Sequence, residues 1–263
     1  MRILVINPNT TQAMTDDIGV MARKYARNDT EIVAISPSYG PRSIEGHLEE
    51  YIASMATLEE VIKNKEEYDA FVIACYGDPG LYACREVTDK PVIGIAEASM
   101  RIAPFLAHSF SIVTVLPRVK PLLEDLVRSV GMESRCASIR CTDLTVLQIE
   151  EDPERAVQEL IAESKKAVED DGAESILLGC AGMGPLDEQI NKAVQVPVLD
   201  GTVCAVKVAE GLYDYGQTTS KVAAFAWPEP KELVACSDIL QAAARNATGS
   251  ATRDGCRPWN FWS

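Results

Sequence analysis

The sequence has few of the side chains that usually hold structural metal ions. It contains only two histidines, His47 and His108, and none of its eight cysteines forms a CxxC pair. Structural zinc sites are built mostly from closely spaced cysteines and histidines. Cys136 and Cys141 are separated by four residues and have no second pair nearby. We therefore predict that the chain holds no metal site.

Long apolar runs are also missing. No stretch of about 18 apolar residues occurs, and the N-terminus lacks the apolar segment and cleavage site of a signal peptide. These absences exclude a membrane-spanning segment and predict a soluble, cytoplasmic protein. Thiols stay reduced in that compartment, so we expect the cysteines to be free.

Positive charge is scarce. The chain has 25 Lys and Arg against 39 Asp and Glu, which gives a net charge of -14. Because the basic residues form no stripe that could neutralise phosphates, nucleic acid is excluded as a partner. With 263 residues, 47% of them hydrophobic, the chain can bury a large core in one α/β domain or in two smaller ones.

What the sequence does contain is an internal repeat. DAFVIACYGDPGL at residues 69–81 aligns without gaps on ESILLGCAGMGPL at residues 174–186, and this alignment places Cys75 on Cys180. Four matching segments in the same order indicate a duplicated unit. The other three pairs are residues 2–9 with 111–118, 30–37 with 137–144, and 90–103 with 196–209.

Each unit alternates short β-branched strands with amphipathic helices, which is typical of parallel sheets covered on both faces. The prediction is an α/β fold of two similar doubly wound lobes with the active site in the cleft between them. We place the first lobe at residues 1–100 plus 205–240 and the second at 101–204. Residues 241–263 lack periodicity and are interpreted as a flexible tail or a segment added by cloning. The longer helices are predicted at residues 11–27, 48–65, 120–130 and 153–170.

Cys75 and Cys180 each follow the third strand of their unit, at the sheet edge where ligands bind in this type of fold. A lone cysteine at such a position is usually a small core residue. The equivalence of these two in the repeat, each with glycine close behind, favours a paired role instead. Two thiols on opposite faces of one carbon can invert a stereocentre, because one removes a proton while the other delivers one. We expect the glycine amides after each cysteine to stabilise an enolate oxygen, without a metal or an organic cofactor.

Six motifs give the sequence a family resemblance: RILVINPNTT, IEGH, VIACYGDPGL, PVIGIAEAS, FSIVTVLPR and AESILLGCAGM. Together they resemble the hydantoin racemases of the aspartate/glutamate racemase superfamily. The resemblance implies cofactor-independent, two-base racemisation of 5-monosubstituted hydantoins, a small-molecule substrate and a homo-oligomer. It assigns the acid and base roles to Cys75 and Cys180. It also implies these substrate-binding residues: Asn9, Ser43, Tyr76, Gly77, Thr114, Ala181 and Gly182.

The related allantoin racemases share nearly all of these motifs, so that activity stays open as an alternative. Tyr76 favours an apolar 5-substituent, because an aromatic ring offers little to the polar ureido group of allantoin. Amino-acid racemases of the superfamily usually carry Thr or Asn after each cysteine, where this chain has Tyr76 and Ala181.

Three other classes fit the sequence less well. A two-lobed solute-binding protein has the same architecture, but binding alone needs no paired thiols. A thiol redox protein would carry a CxxC motif, and Cys75 and Cys180 belong to different lobes. A nucleotide-binding loop would continue GCAGMG with a GK[ST] sequence, which is absent.

Overall fold

The computed structural model describes residues 1–234 and 237–239. In this part of the chain eight strands form two parallel sheets of four strands each, and helices flank both sheets. The predicted fold of two similar α/β lobes is confirmed.

The first sheet is built from short apolar strands in the order β2-β1-β3-β4. Their bounds are β1 Arg2–Ile6, β2 Glu31–Ile35, β3 Ala70–Ile73 and β4 Val92–Gly94. All four residues of β3 are buried, as expected for a central strand covered on both faces.

Four helices belong to this sheet: α1 Gln12–Tyr25, α2 His47–Asn64, α3 Leu81–Val87 and α4 Ile95–Ile102. The predicted helices at 11–27 and 48–65 thus agree with α1 and α2 to within two residues at each end. Both ends of α1 are marked in the sequence, since Thr11 occupies the N-cap position and two basic residues lie in the last turn.

The second sheet repeats the arrangement in the order β6-β5-β7-β8. Its strands are β5 Phe110–Thr114, β6 Cys136–Cys141, β7 Ile176–Leu178 and β8 Val198–Leu199. The matching strand order shows that the repeat in the sequence is a repeat of topology.

The helices of the second sheet are α5 Lys120–Val130, α6 Val146–Glu151, α7 Pro153–Glu169 and α8 Asp187–Val194. The predictions at 120–130 and 153–170 correspond to α5 and α7. A capping box of Thr145 and Gln148 starts α6, and Asp152 caps α7. Short 3₁₀ helices lie at Ala103–Phe105, Pro117–Val119, Ala181–Leu186 and Ala223–Phe225.

The chain then returns to the first lobe through α9, Gly201–Tyr215, which packs against α1, α4, β3 and β4. Further on, Lys221 Nζ donates hydrogen bonds to the carbonyl oxygens of Arg85 and Glu86, at 2.6 and 3.2 Å. The segment after α9 therefore lies on α3. The exact lobe bounds stay a prediction, and the predicted tail at 241–263 lies outside the described residues.

One continuous apolar core joins the two lobes. Alternate residues of β1 divide between two clusters: Leu4 and Ile6 face a smaller cluster on the α2–α3 side. Ile3 and Val5 face the larger cluster, which runs on through β5 and β7 of the second sheet. The cleft between the lobes is thus supported by packed side chains rather than by a hinge of exposed linkers. No helix within the described residues is long and apolar enough to cross a bilayer.

Candidate active site

Cys75 and Cys180 line one cavity of about 620 Å³, a volume that includes its open mouth. Each cysteine stands two residues beyond the end of its strand, β3 or β7, so the two equivalent sheet edges supply one thiol each. The packing of the lobes brings these edges together, although the two cysteines are about a hundred residues apart in sequence.

The predicted substrate-binding residues fall into two groups. Asn9, Tyr76, Gly77, Thr114 and Ala181 line the cavity together with the two cysteines. Ser43 and Gly182 are not among the described residues that line the cavity. Ile44, the neighbour of Ser43, does line it.

Both thiols are partly exposed to the cavity and otherwise surrounded by protein. Burial raises the pKa of Cys75 to about 12 and that of Cys180 to about 11. Opposing this, the backbone N–H of Gly77 donates a hydrogen bond to the Cys75 sulfur, and the N–H of Gly182 does the same for Cys180. A charge on Cys180 further raises the pKa of Cys75, so ionisation of one thiol opposes ionisation of the other.

The expectation that these two glycine amides stabilise an enolate oxygen stays a prediction. In the structure each amide favours the thiolate form of its own cysteine. The reason is a tight turn after each cysteine. The N–H of Asp78 donates to the carbonyl of Cys75 at 2.9 Å, and that of Met183 donates to the carbonyl of Cys180 at 3.1 Å. Each turn points the amide two residues after the cysteine at the cysteine's own sulfur, where it stabilises a thiolate.

Asp78 ties the Cys75 turn to α4. Its carboxylate oxygens accept hydrogen bonds from the backbone N–H groups of Ala96 and Glu97, at 3.1 and 2.8 Å. Only glycine fits at position 94, because a Cβ there would overlap the Asp78 carboxylate. Burial raises the pKa of Asp78 to about 7, although both backbone hydrogen bonds favour its charged form.

Asp200 has the reciprocal place in the second lobe. It caps α9 by accepting a hydrogen bond from the Val203 N–H at 2.8 Å. Its other oxygen lies against the Cys180 turn, 2.9 Å from where a Cβ on Gly184 would stand. Burial raises its pKa to about 6. A buried carboxylate therefore lies between each cysteine turn and the helix that follows the fourth strand of the same sheet. Asp78 belongs to the turn and contacts α4, whereas Asp200 caps α9 and lies against the turn.

The three polar side chains that were predicted to bind substrate and that line the cavity already have protein partners. The Tyr76 hydroxyl shares a hydrogen bond with Ser99 Oγ at 2.9 Å, and Thr114 Oγ1 donates to the Gly179 carbonyl at 2.9 Å. Asn9 Oδ1 accepts from the Thr11 N–H at 2.9 Å. These residues therefore present mainly apolar surface and fixed shape to the cavity.

Several lining residues were not predicted. Five of them form an apolar wall that comes from the second lobe, and the sequence shows these five only as one face of an amphipathic helix or as strand ends. Glu45 and Glu50 are the acidic exceptions, and the Glu45 carboxylate accepts a hydrogen bond from the Val146 N–H across the cleft at 2.8 Å. Members of the wall are Val115, Val119, Leu122, Leu123 and Val146.

Two polar residues of the motifs named above, His47 of IEGH and Glu97 of PVIGIAEAS, lie outside the cavity lining. Glu97 is paired with Arg85 at 2.6 Å and with Arg101 at 2.9 Å, and His47 is exposed at the start of α2. No group of three or more His, Cys, Asp or Glu side chains within residues 1–234 and 237–239 is arranged to hold a metal ion.

Comparison with known proteins gives a consistent result. The family model described as Asp/Glu/Hydantoin racemase matches residues 3–209. A hydantoin racemase of Pseudomonas sp. (strain NS671) is 53% identical over 94% of this chain and 99% of its own length. One from Paenarthrobacter aurescens is 45% identical over 89% of this chain and 100% of its own length. The solved structure of allantoin racemase from Klebsiella pneumoniae superposes with a TM-score of 0.88 at 44% identity, covering 92% of this chain and 98% of that one.

Proposed function

Because the chain belongs to the Asp/Glu/hydantoin racemase family, we propose that it racemises 5-monosubstituted hydantoins with Cys75 and Cys180 as acid and base. The chain is an isomerase of the racemase type, as its hydantoin racemase relatives indicate. One observation carries the two-base assignment: structurally equivalent cysteines from two lobes line a single cavity.

In the proposed reaction, the thiolate of one cysteine removes the proton from C5 of the hydantoin ring. The electron pair of the broken C–H bond moves into the adjacent carbonyl and forms an enolate. The second cysteine, still a neutral thiol, then delivers its proton to the opposite face of C5 and becomes the thiolate. The amides of Gly77 and Gly182 stabilise whichever sulfur carries the charge. Proton balance is complete, so the proposal includes no cofactor and no metal.

The cavity wall supports an apolar 5-substituent. Val119, Leu122 and Leu123 offer no hydrogen-bonding side-chain atoms to a polar group, and the Tyr76 hydroxyl is occupied by Ser99. We therefore propose that Asn9, Tyr76, Gly77, Thr114 and Ala181 shape the pocket around the ring. Ser43 and Gly182 are proposed to act from behind it, Ser43 through its neighbour Ile44 and Gly182 through the Cys180 sulfur.

Allantoin remains a second candidate substrate, because allantoin racemase structures from Klebsiella pneumoniae and Pseudomonas fluorescens match this chain at 44% and 42% identity. A charged amino acid is a weaker candidate. The cavity-lining residues of the described chain include no Lys or Arg that could pair with an α-carboxylate.

We further propose that the enzyme works as a homo-oligomer in the cytoplasm. Four large apolar side chains at helical spacing are exposed on α2, namely Leu48, Tyr51, Ile52 and Met55, and contact between copies would cover such a surface. The six cysteines of the described residues are all free, which suits a reducing compartment. Light scattering of the purified protein tests the assembly.

The function is tested by following loss of optical activity of single enantiomers of 5-benzyl-, 5-isopropyl- and 5-ureidohydantoin, corrected for spontaneous racemisation. We expect the benzyl and isopropyl compounds to be the better substrates. Cys75→Ser and Cys180→Ser should each reduce kcat by about a thousandfold or more, because a serine hydroxyl is a far weaker acid than a thiol. Cys136→Ser, a thiol outside the cavity, serves as the matched control and should keep full activity. Full activity of either single variant, or loss of wild-type activity on chelation with recovery on metal addition, contradicts the proposal.

A further inference from the structure

Glu50 is a carboxylate in an otherwise largely apolar cavity. It lies in the first turn of α2, is half-buried and lines the cavity beside the Cys75 turn. One of its oxygens is 3.5 Å from the point where a Cβ on Gly77 would stand. The carboxylate is therefore next to the residue whose N–H supports the Cys75 sulfur.

Within the described residues, this carboxylate has no hydrogen bond and no ion pair, in contrast to two other acids near the site, Glu45 and Glu97. Glu45 accepts the Val146 N–H, and Glu97 pairs with two arginines. Burial raises the pKa of Glu50, and the exposed His47 lowers it only in part. Removing a carboxylate from water without a partner costs free energy, so its place in the cavity calls for a ligand that supplies a donor.

The other polar atoms of the cavity are less able to accept a hydrogen bond from a ligand. Asn9 Oδ1 already accepts from Asn7 Nδ2 and from the Thr11 N–H, both at 2.9 Å. The Tyr76 hydroxyl is shared with Ser99. Glu50 thus stands out as the acceptor whose two carboxylate oxygens are both unused.

We propose that Glu50 is a substrate-binding residue that accepts a hydrogen bond from a ring N–H of the hydantoin. The inference rests on the proposed function, since it takes the ring to be held with C5 between the two thiols. The hydantoin ring carries two N–H groups at its edge, and its neutral form has no charge. A carboxylate at that edge fixes the rotation of the ring and so aligns C5 with Cys75.

The same carboxylate selects the protonation state of the substrate. It attracts a ring N–H but repels a ring that has lost that proton and become an anion. This selection favours turnover, because C5–H is harder to remove from a ring that already carries negative charge. Glu50 therefore contributes to binding and to choice of the reactive form.

The test compares Glu50→Leu, Glu50→Gln and the control Glu49→Gln on 5-benzylhydantoin and on its N1-methyl and N3-methyl derivatives. Glu49 is the neighbouring acid on the same helix and does not line the cavity, so its variant removes the same charge from the same turn. We expect Glu50→Leu to lower kcat/KM for the unmethylated substrate by about tenfold to a hundredfold, mainly through KM. Glu50→Gln keeps a neutral acceptor and should lose less, while Glu49→Gln should stay within about twofold of wild type.

Methylation of the substrate supplies a readout that a merely structural role would not change. In the wild type, a methyl group on the nitrogen bound by Glu50 should lower kcat/KM by a similar factor. In Glu50→Leu the same methyl group should have little further effect, because the hydrogen bond is already gone. If Glu50→Leu fails to fold, two other measurements decide the question. One is kcat/KM of Glu50→Gln relative to that of Glu49→Gln, and the other is the loss of kcat/KM on methylation of the substrate in Glu50→Gln.

Two outcomes overturn the inference. One is a Glu50→Leu enzyme within twofold of wild type on the unmethylated substrate. The other is that methylation of each nitrogen lowers kcat/KM by the same factor in both Glu50 variants as in the wild type. Failure of the proposed function has a different signature, because the wild type itself would then not racemise 5-benzylhydantoin. Racemisation by the wild type together with an unaffected Glu50→Leu enzyme removes this inference alone.

Discussion

Each of the two thiols has a raised pKa and a backbone hydrogen-bond donor next to its sulfur. Burial raises their pKa values to about 12 and about 11, while the amides of Gly77 and Gly182 favour the thiolate. A thiol of high pKa gives a strong base when it ionises, which a carbon acid requires, and a competent acid while it stays protonated. The cost is that few molecules carry a thiolate at neutral pH.

This balance predicts the pH dependence of the reaction. A raised pKa keeps each thiol neutral below that pKa, so the population with one thiolate grows about tenfold per pH unit. We expect kcat/KM, which reports the free enzyme, to rise by roughly a hundredfold between about pH 6 and about pH 8. The measurement uses initial rates of inversion, corrected for spontaneous racemisation and for ionisation of the substrate. A flat profile over this range would mean that one cysteine is already ionised.

The sequence predicts the two cysteines but not the acids around them. The internal repeat aligns Cys75 with Cys180, and no equivalent signal marks Glu50, which reads as one more charged residue in the first turn of a helix. Glu45 and Val146 are 101 residues apart, and only the packing of the lobes brings them into contact. Choosing such residues among 39 acids requires the tertiary structure.

At the scale of helices and strands, the prediction is closer to the structure. Amphipathic periodicity is a local property, so the predicted ends of α5 and α7 differ from the observed ones by at most one residue. The strands are defined by buried β-branched runs and their order by the parallel crossovers. Local patterns do not predict the crossing of α4 and α9. The two helices are in close contact where they begin, because a Cβ on Gly201 would stand 2.8 Å from the Ile95 carbonyl oxygen.

This crossing predicts opposite effects for two glycines of α9. Gly201→Ala should destabilise the protein by about 1–3 kcal/mol, because the added methyl group has to displace backbone of α4. Gly211→Ala should stabilise it by about 0.5–1 kcal/mol, since nothing lies within 4 Å of the added Cβ and alanine is the better helix former. Urea denaturation measures both. Because α4 begins at the residues held by Asp78, we also expect Gly201→Ala to slow racemisation. Equal shifts in stability for the two variants would show that the contact at Gly201 relaxes at no cost.

The whole molecule determines how the thiols face each other. The large apolar core continues from β1 into β5 and β7, and Glu45 bonds to the N-terminus of α6 across the cleft. Under the proposed two-base mechanism neither lobe holds a complete site, because each contributes only one cysteine. A cleft supported in this way is already formed before substrate binds, so the separation of the two sulfurs follows from the packing of the lobes.

An arrangement of two thiols on opposite faces makes a specific prediction for the path of the proton. The cysteine that faces the C5 proton of one enantiomer keeps that proton after removing it, and the other cysteine delivers a different one that has equilibrated with solvent. Starting from a single enantiomer in deuterated water, the early product should carry solvent deuterium at C5, while recovered substrate should carry little. Mass spectrometry after chiral separation measures both, with spontaneous exchange subtracted from a sample without enzyme.

The single-cysteine variants extend the experiment to each face. Cys75→Ser and Cys180→Ser should both stop inversion, and each should retain slow exchange at C5 of one enantiomer only, the one whose proton faces the remaining thiol. The two variants should therefore differ in which enantiomer becomes deuterated, because their remaining thiols belong to opposite lobes. One group acting as both acid and base would instead give early substrate and product equal deuterium content in the wild type. That result, or exchange of the same enantiomer by both variants, would rule out a base on each face of the carbon.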